Sequence, residues 1–361
     1  MAGPDTLSRR SLNRATLARQ LLLERSSMHH LDAIDHLVGL QAQNPHDPYI
    51  GLWARLQGFD PLQLSGALEQ KLVVRAQLMR ATIHLVTAAD YPAVAGATAP
   101  VLRRVFGSTS YAKSTAAVDR DEVVATGVSL LEERPLSRAE LAPELAVRWP
   151  EIDPTSLAMA VTYLSPLVQV PPRGLWNRTG QARWASAGSW LGHAPVAVAD
   201  LDRLMIRYLT AFGPASVADA RAWSNLTALS EVFARLRPGL AVFRDEQGRE
   251  LFDLPDAPRP DPDTPAPVRF LPEYDNVMLG HADRTRVMVG VHPLGWLGNV
   301  LVDGFLAGQW KRTRAKGRLL VEVEMLTKQT RARLGEVEAE AAAAADLLAP
   351  DLDHDVVVTP V

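Results

Sequence analysis

The stretch Gly39-Leu40-Gln41-Ala42-Gln43-Asn44-Pro45 sets two uncharged amides two residues apart, just before a proline. The pattern upstream predicts a helix over Leu31–Gln41, with Ile34, Leu37 and Val38 on its buried stripe. Gln41 lies seven residues after Ile34 and continues that stripe, so its amide needs partners or a cavity. On a regular helix Gln43 would point away from Gln41. Pro45, however, biases Asn44 toward an extended backbone. If the chain is extended from Ala42, both amides can line one pocket at a helix C-terminus, where cations are favoured by ~0.3–1 kcal/mol. Glutamine is no general base. It can orient a water and present a partially negative oxygen to developing positive charge. Such modest help suits a leaving group that is already activated, as in a cationic N7-alkylated purine. Spacing alone also fits a simpler reading, in which the two amides only cap a turn at a helix end.

Other chemistry is thinly represented. The chain has no P-loop, no GxGxxG, no GxSxG and no HExxH. It contains no cysteine, which removes thiolate metal sites and cysteine nucleophiles. His29-His30 with Asp32 could hold a metal, but adjacent surface histidines at a helix start explain them more simply; no metal or cofactor is expected. In Arg80–His84, strand alternation puts Arg80, Thr82 and His84 on one face. His84 could hold a base or phosphate, or be a hydrogen-bonded hairpin residue.

Net charge is −3, so any polyanion must be bound locally. Two basic stretches stand out. One holds Arg9, Arg10, Arg14, Arg19 and Arg25; the other runs from Arg284 and Arg286 to Lys311, Arg312, Arg314, Lys316 and Arg318. Arg284, Arg286, Lys311, Arg312, Arg314 and Lys316 could supply phosphate contacts. Ordinary solvated faces explain each stretch equally well, and His281 and Asp283 could form a structural pair.

The elements that must position these residues are helices closed by hairpins. Helices are expected at Ser11–Leu23, Leu31–Gln41, Tyr49–Leu56 and Pro61–Lys71, followed by a strand pair in Val73–Val86. A second unit has helices Ser137–Arg148 and Pro154–Val170 and a turn-containing wing at 171–184. A third has Val198–Phe212, Ser216–Arg237 and a hairpin at Leu240–Leu254. The expected fold is α+β: tandem winged helices at 1–110, 111–195 and 196–254, a Pro-rich linker at 255–267, and a small β-rich domain at 268–361. Strands are expected there at Val287–Val291, Val300–Val302 and Leu319–Met325, with a helix near Leu326–Leu348. Trp296 and Trp310 read as packing residues.

Four segments, GLQAQNPHDPYIGLWARL, MRATIHLVTAADY, LPEYDNVMLGHADRTR and VDGFLAGQWKRTR, resemble the AlkZ-type winged-helix bacterial DNA glycosylases, which include the YcaQ-type enzymes. The resemblance runs from about Ser11 to about Thr327. It implies tandem winged helices and a β-domain enclosing a DNA channel. It also implies that Gln41 and Gln43 are the catalytic pair, because family members carry two glutamines flanking an apolar residue, or an aspartate in place of the second. The implied substrate is double-stranded DNA carrying bulky N7-alkylguanine, N3-alkyladenine or interstrand crosslinks, in repair or self-resistance to a genotoxic natural product. The implied reaction is hydrolysis without lyase activity, by a monomer. A polar N-terminus and the absence of a long apolar run lead us to expect a cytoplasmic protein with no membrane contact. The competing reading is a winged-helix transcriptional regulator; a hydrolase acting on the free toxin lacks a visible nucleophile.

Overall fold

A computed structural model of the chain describes residues 5–192, 199–290, 297–315 and 317–361. It is a mixed α+β fold with three sheets. The central sheet has five antiparallel strands in the order Leu40–Gln41, Ile83–Thr87, Val73–Gln77, Leu167–Val170, Arg183–Ser186. The β-branched run at 73–86 thus forms the expected hairpin. Its alternate residues feed two cores: Val73, Ile83 and Leu85 pack on one side, Val74, Ala76 and Val86 on the other. The hairpins of the first and second helical units therefore share one sheet.

Helix starts follow their caps. Ser8 caps Arg9–Arg19, Asp60 caps Pro61–Glu69, and Ser137 with Glu140 forms a capping box before Arg138–Ala146. Three helices that the sequence pattern does not announce, Tyr91–Gly107, Ser110–Ser114 and Arg120–Glu133, lie between the hairpin and Ser137. Pro100 inside the first interrupts its pattern. The expected single helix over 216–237 is two, Val217–Ser224 and Leu229–Leu236, because Asn225 (φ 61) turns left-handed at the end of the first.

The largest departure precedes the glutamines. The helix expected to reach Gln41 spans only His30–His36. Val38 N–H donates to Asp35 O and Gly39 N–H to Ile34 O, the paired bonds of a Schellman ending. Gly39 has φ +89, and a Cβ there would meet Val86 Cγ1 at 2.7 Å and Leu85 O at 2.8 Å. Only glycine lets the chain turn this close to the hairpin and enter the sheet as a strand.

A second five-stranded sheet, ordered Asp353–Thr359, Arg318–Met325, Phe305–Ala315, Gly298–Val302, Arg269–Leu271, forms the C-terminal part. Helix Arg331–Leu348 crosses over to the unanticipated last strand, which pairs in parallel with Arg318–Met325. No strand forms over 287–290, which follows a tight 3-10 turn at Arg284–Arg286; Val291 and Trp296 lie outside the described residues. Trp310 is buried and donates to Leu271 O at 2.9 Å, as a packing residue should.

The 255–267 stretch has no helix or strand, yet it is tied down. Arg10, Arg14 and Arg19 donate to Pro262 O (2.7 Å), Thr264 O (2.6 Å) and Pro258 O (3.3 Å). Arg19 also forms a fully buried pair with Asp253 at 2.6 Å. This corrects the reading of the N-terminal basic stretch as a polyanion patch, since Arg14 and Arg19 are buried and committed to the chain itself.

Candidate active site

Strand Leu40–Gln41 edges the central sheet, with Leu40 opposite Leu85 and Gln41 opposite His84. At the next pair the ladder opens. Ala42 N–H still donates to Ile83 O at 2.7 Å. The reciprocal bond, which a regular antiparallel pair would make, is replaced by two side chains. Arg75 donates to Ala42 O at 2.8 Å, and Ile83 N–H donates to Gln43 Oε1 at 3.2 Å. The chain then turns at Asn44, whose side chain accepts from His46 N–H, into helix Asp47–Trp53.

Gln41 is buried, and its Oε1 accepts from Arg80 Nη2 at 2.6 Å. Arg80 and Ala81 both take left-handed backbone angles (φ 55 and 58) at the hairpin tip. The guanidinium also donates to Trp223 O and lies 3.3 Å from His84 Nε2. His84 Nδ1 is 3.0 Å from Thr82 O, so the network assigns the proton to Nδ1 and lets Nε2 accept from Arg80. Burial, reinforced by Arg80, pushes the His84 imidazole down to about 3, so it is neutral and supplies no charge for a phosphate. Burial, and secondarily Arg284, lowers Arg80 to about 10, which leaves it cationic. The expected helix C-terminus is therefore not beside the amides. With the helix ended at His36, the charge beside Gln41 is a guanidinium.

Gln43 is exposed and lines a cavity of about 270 Å³ with Arg75, Gln77, Arg138, Tyr163 and Gln169. Gln41 is not among its lining residues, so the two amides do not open into this one cavity as expected. They flank the start of strand Ile83–Thr87, Gln41 opposite His84 and Gln43 bonded to the Ile83 N–H. Each oxygen is anchored by one donor, which leaves one lone pair free to accept from water.

The loop after Gln43 meets the C-terminal part. Arg312 lies beside Asp47, and both line a second, smaller cavity with Asn44. Burial, with Glu273 adding like charge, pushes the Asp47 carboxyl up to about 8; its Oδ2 has no partner. Burial, then Arg312, Arg75 and Arg173, pushes His46 down to about 4.

The residues expected to contact DNA separate into groups. Arg284 is exposed, without an ion pair among the described residues, and close enough to Arg80 to lower its pKa. Thr82 is half-buried, with Oγ1 donating to Met79 O. Lys311 is exposed beside Glu322 (3.4 Å), Arg312 is half-buried, and Arg314 is exposed on the same strand. Lys316 lies outside the described residues. Arg286 departs from the expectation. It is buried, donates to Pro214 O at 3.0 Å and pairs with Asp219 at 3.7 Å, so its donors are consumed inside the fold. His281 is likewise internal, bonded to Phe212 O, and Asp283 pairs with Arg249 rather than with His281.

Sequence reasoning passed over Arg75, Gln77 and Gln169 and placed Arg80 only on a face. Arg75 and Gln77 alternate with Val74 and Ala76 within an apolar strand, and that alternation was the available signal. Among the described residues no group of His, Asp and Glu is arranged to hold a metal, and no helix is long and apolar enough to cross a membrane.

The sequence profile of the family described as "DNA glycosylase AlkZ-like" matches residues 34–347. No curated protein sequence matches the chain. Among solved structures, Streptomyces sahachiroi DNA glycosylase AlkZ is similar in fold, with a TM-score of 0.75 at 20% identity over 98% of this chain and 100% of that one.

Proposed function

The chain belongs to the family of AlkZ-like DNA glycosylases, and from that premise we propose that it hydrolyses the N-glycosidic bond of N7-alkylguanine in duplex DNA, with Gln41 and Gln43 as the catalytic pair. The observation that carries this reading is the opened ladder at Ala42 and Ile83. It presents two amides, one at the end of the strand and one in the bend that follows, each with its oxygen anchored by a single donor. The remaining lone pairs can hold a water and face the positive charge that develops on the deoxyribose. Neither residue needs to titrate, because the cationic base is primed to leave.

The surrounding charge supports the same substrate. Arg80 and Arg284 lie on the Gln41 side, and Arg75 and Arg173 on the Gln43 side. A cationic base is disfavoured among guanidiniums and a departing neutral one is not, while phosphates are welcome. We read the helical units with their hairpins as tandem winged helices around a DNA channel. Exposed Arg284, Lys311 and Arg314, with half-buried Arg312, would hold the backbone. An open channel admits bulky adducts and crosslinks, and repair or self-resistance is the corresponding role.

A lyase step would need an amine to form a Schiff base. Among the described residues no lysine lines the cavity beside Gln43; Lys71 stacks on Trp190 at 4.3 Å. Monofunctional hydrolysis is expected, with no covalent species trapped by borohydride. The deciding assay incubates the protein with DNA containing N7-alkylguanine and measures released base. Release undiminished in a Gln41→Ala, Gln43→Ala double variant would overturn the site. No release from simple or bulky N7 adducts would instead favour a DNA-binding regulator.

A further inference from the structure

The cavity beside Gln43 holds hydrogen-bonding groups that anchoring a water does not use. Arg75, Gln77 and Gln169 come from adjacent strands of the central sheet and are 1%, 8% and 7% exposed. Gln77 has a fixed orientation. Its Nε2 donates to Ala81 O at 3.0 Å, and its Oε1 is buried without a partner. The Oε1 of Gln169 and the Nε of Arg75 are also buried and unpartnered. Buried polar atoms are nearly always paired, so three unpartnered ones on residues that line one cavity point to a ligand. Among the described residues no carboxylate lines the space, while Arg75, Arg138 and Arg173 do.

We infer that this cavity receives the purine as it leaves the sugar. This rests on the glycosylase reading for the identity of the ligand. A guanine-type base carries N–H donors on its Watson–Crick edge and an acceptor at O6. Its donors match the amide oxygens of Gln77 and Gln169, and its O6 matches the guanidinium donors. A phosphodiester of the DNA backbone offers only acceptors and would leave the Gln77 oxygen facing another oxygen.

Charge points the same way. Attached to the sugar, N7-alkylguanine is cationic and is repelled by the arginines. When the C1′–N9 bond breaks, its electron pair leaves with the base, which becomes neutral, and the positive charge passes to the deoxyribose. Water oxygen then bonds C1′ and loses a proton to solvent. The cavity thus favours the free, neutral base over the cationic base of the intact adduct, a preference that shows itself as product inhibition. Its volume of about 270 Å³ falls below the usual range for drug-sized ligands, roughly 300–1,000 Å³. It suits one base, with a bulky N7 substituent left outside.

The test is calorimetric titration of the full chain with free N7-methylguanine and, separately, with inorganic phosphate, repeated for Gln77→Met and Gln169→Met. The purine is expected to bind and to inhibit base release competitively, and each variant to weaken binding about tenfold. Binding of phosphate in preference to purine, or wild-type purine affinity in both variants, overturns the inference. If Gln77→Met does not fold, as judged by its melting transition, Gln169→Met and the wild-type titrations decide. Free purine bound by a protein that releases none from alkylated DNA would leave the cavity standing and remove the glycosylase reading. Release without purine binding or product inhibition would do the reverse.

Discussion

The Gln43 side-chain oxygen accepts the Ile83 N–H at 3.2 Å, a bond that a regular ladder would give to Ala42. The amide thereby closes the sheet edge that it also opens to solvent. Replacement by aspartate keeps an acceptor for that N–H, whereas alanine removes it. Gln43→Asp is expected to retain base release within about tenfold of wild type, and Gln43→Ala to lose roughly 10²-fold or more. Single-turnover release of N7-methylguanine measures both, and equal rates in the two variants would count against an anchoring role.

On the proposed reading of the site, Arg80 is a positioning residue that acts through Gln41. Its 2.6 Å bond fixes the amide oxygen, while its other donors hold Trp223 O and His84. Arg80→Met should lower the single-turnover rate by about 10²-fold and leave the affinity for undamaged duplex within about threefold. Arg80→Lys should recover part of the rate, since an ammonium can still donate to Gln41. A loss confined to DNA affinity would instead mark Arg80 as a phosphate ligand.

Asp47 should give the protein a pH-dependent stability. Burial and Glu273 raise its carboxyl to about 8 in the folded chain, against about 4 when unfolded. The folded state therefore binds a proton that the unfolded state has lost. This contribution is complete below about pH 4 and declines as pH rises toward 8. Asp47→Asn should match wild type near pH 4 and melt higher at pH 9, by about 2–4 °C per kcal/mol recovered. A variant that melts lower than wild type at pH 9 would show that the charged carboxylate is stabilising, through Arg312.

Arg284 and Arg286 are two residues apart and should behave oppositely. Arg284 is exposed and Arg286 is buried against Asp219. Arg284→Ala should weaken DNA binding and reduce the salt slope by about one, without changing the melting temperature. Arg286→Ala should cost up to about 3–5 kcal/mol of stability by removing the cation buried against Asp219, whose carboxylate keeps its bonds from Ser216 and Ala282. Salt-titrated DNA binding and thermal melts separate the two.

The amino-acid order by itself determined the hairpins of 73–87 and 241–253, most helix starts and the glutamine motif, whereas 167–170, which continues a helical pattern from Pro154, is a strand. These depend on local physics: caps at Asp60 and Ser137, the alternating apolar run at 73–86, and a left-handed Gly248 in the last hairpin of the helical region. Four segments in family order also made the family legible. Only the tertiary structure decided what surrounds the amides. Periodicity carried Gln41 along a helix, because Ile34, Leu37 and Val38 repeat as a helix would. The helix ends at His36 because Gly39 must pass within contact of Val86 and Leu85, residues almost fifty positions away. Likewise no local rule distinguishes Arg284 from Arg286, or links Arg75 to Ala42 O. Charge composition counts arginines alike, whereas burial decides which hold the chain together and which stay exposed to solvent.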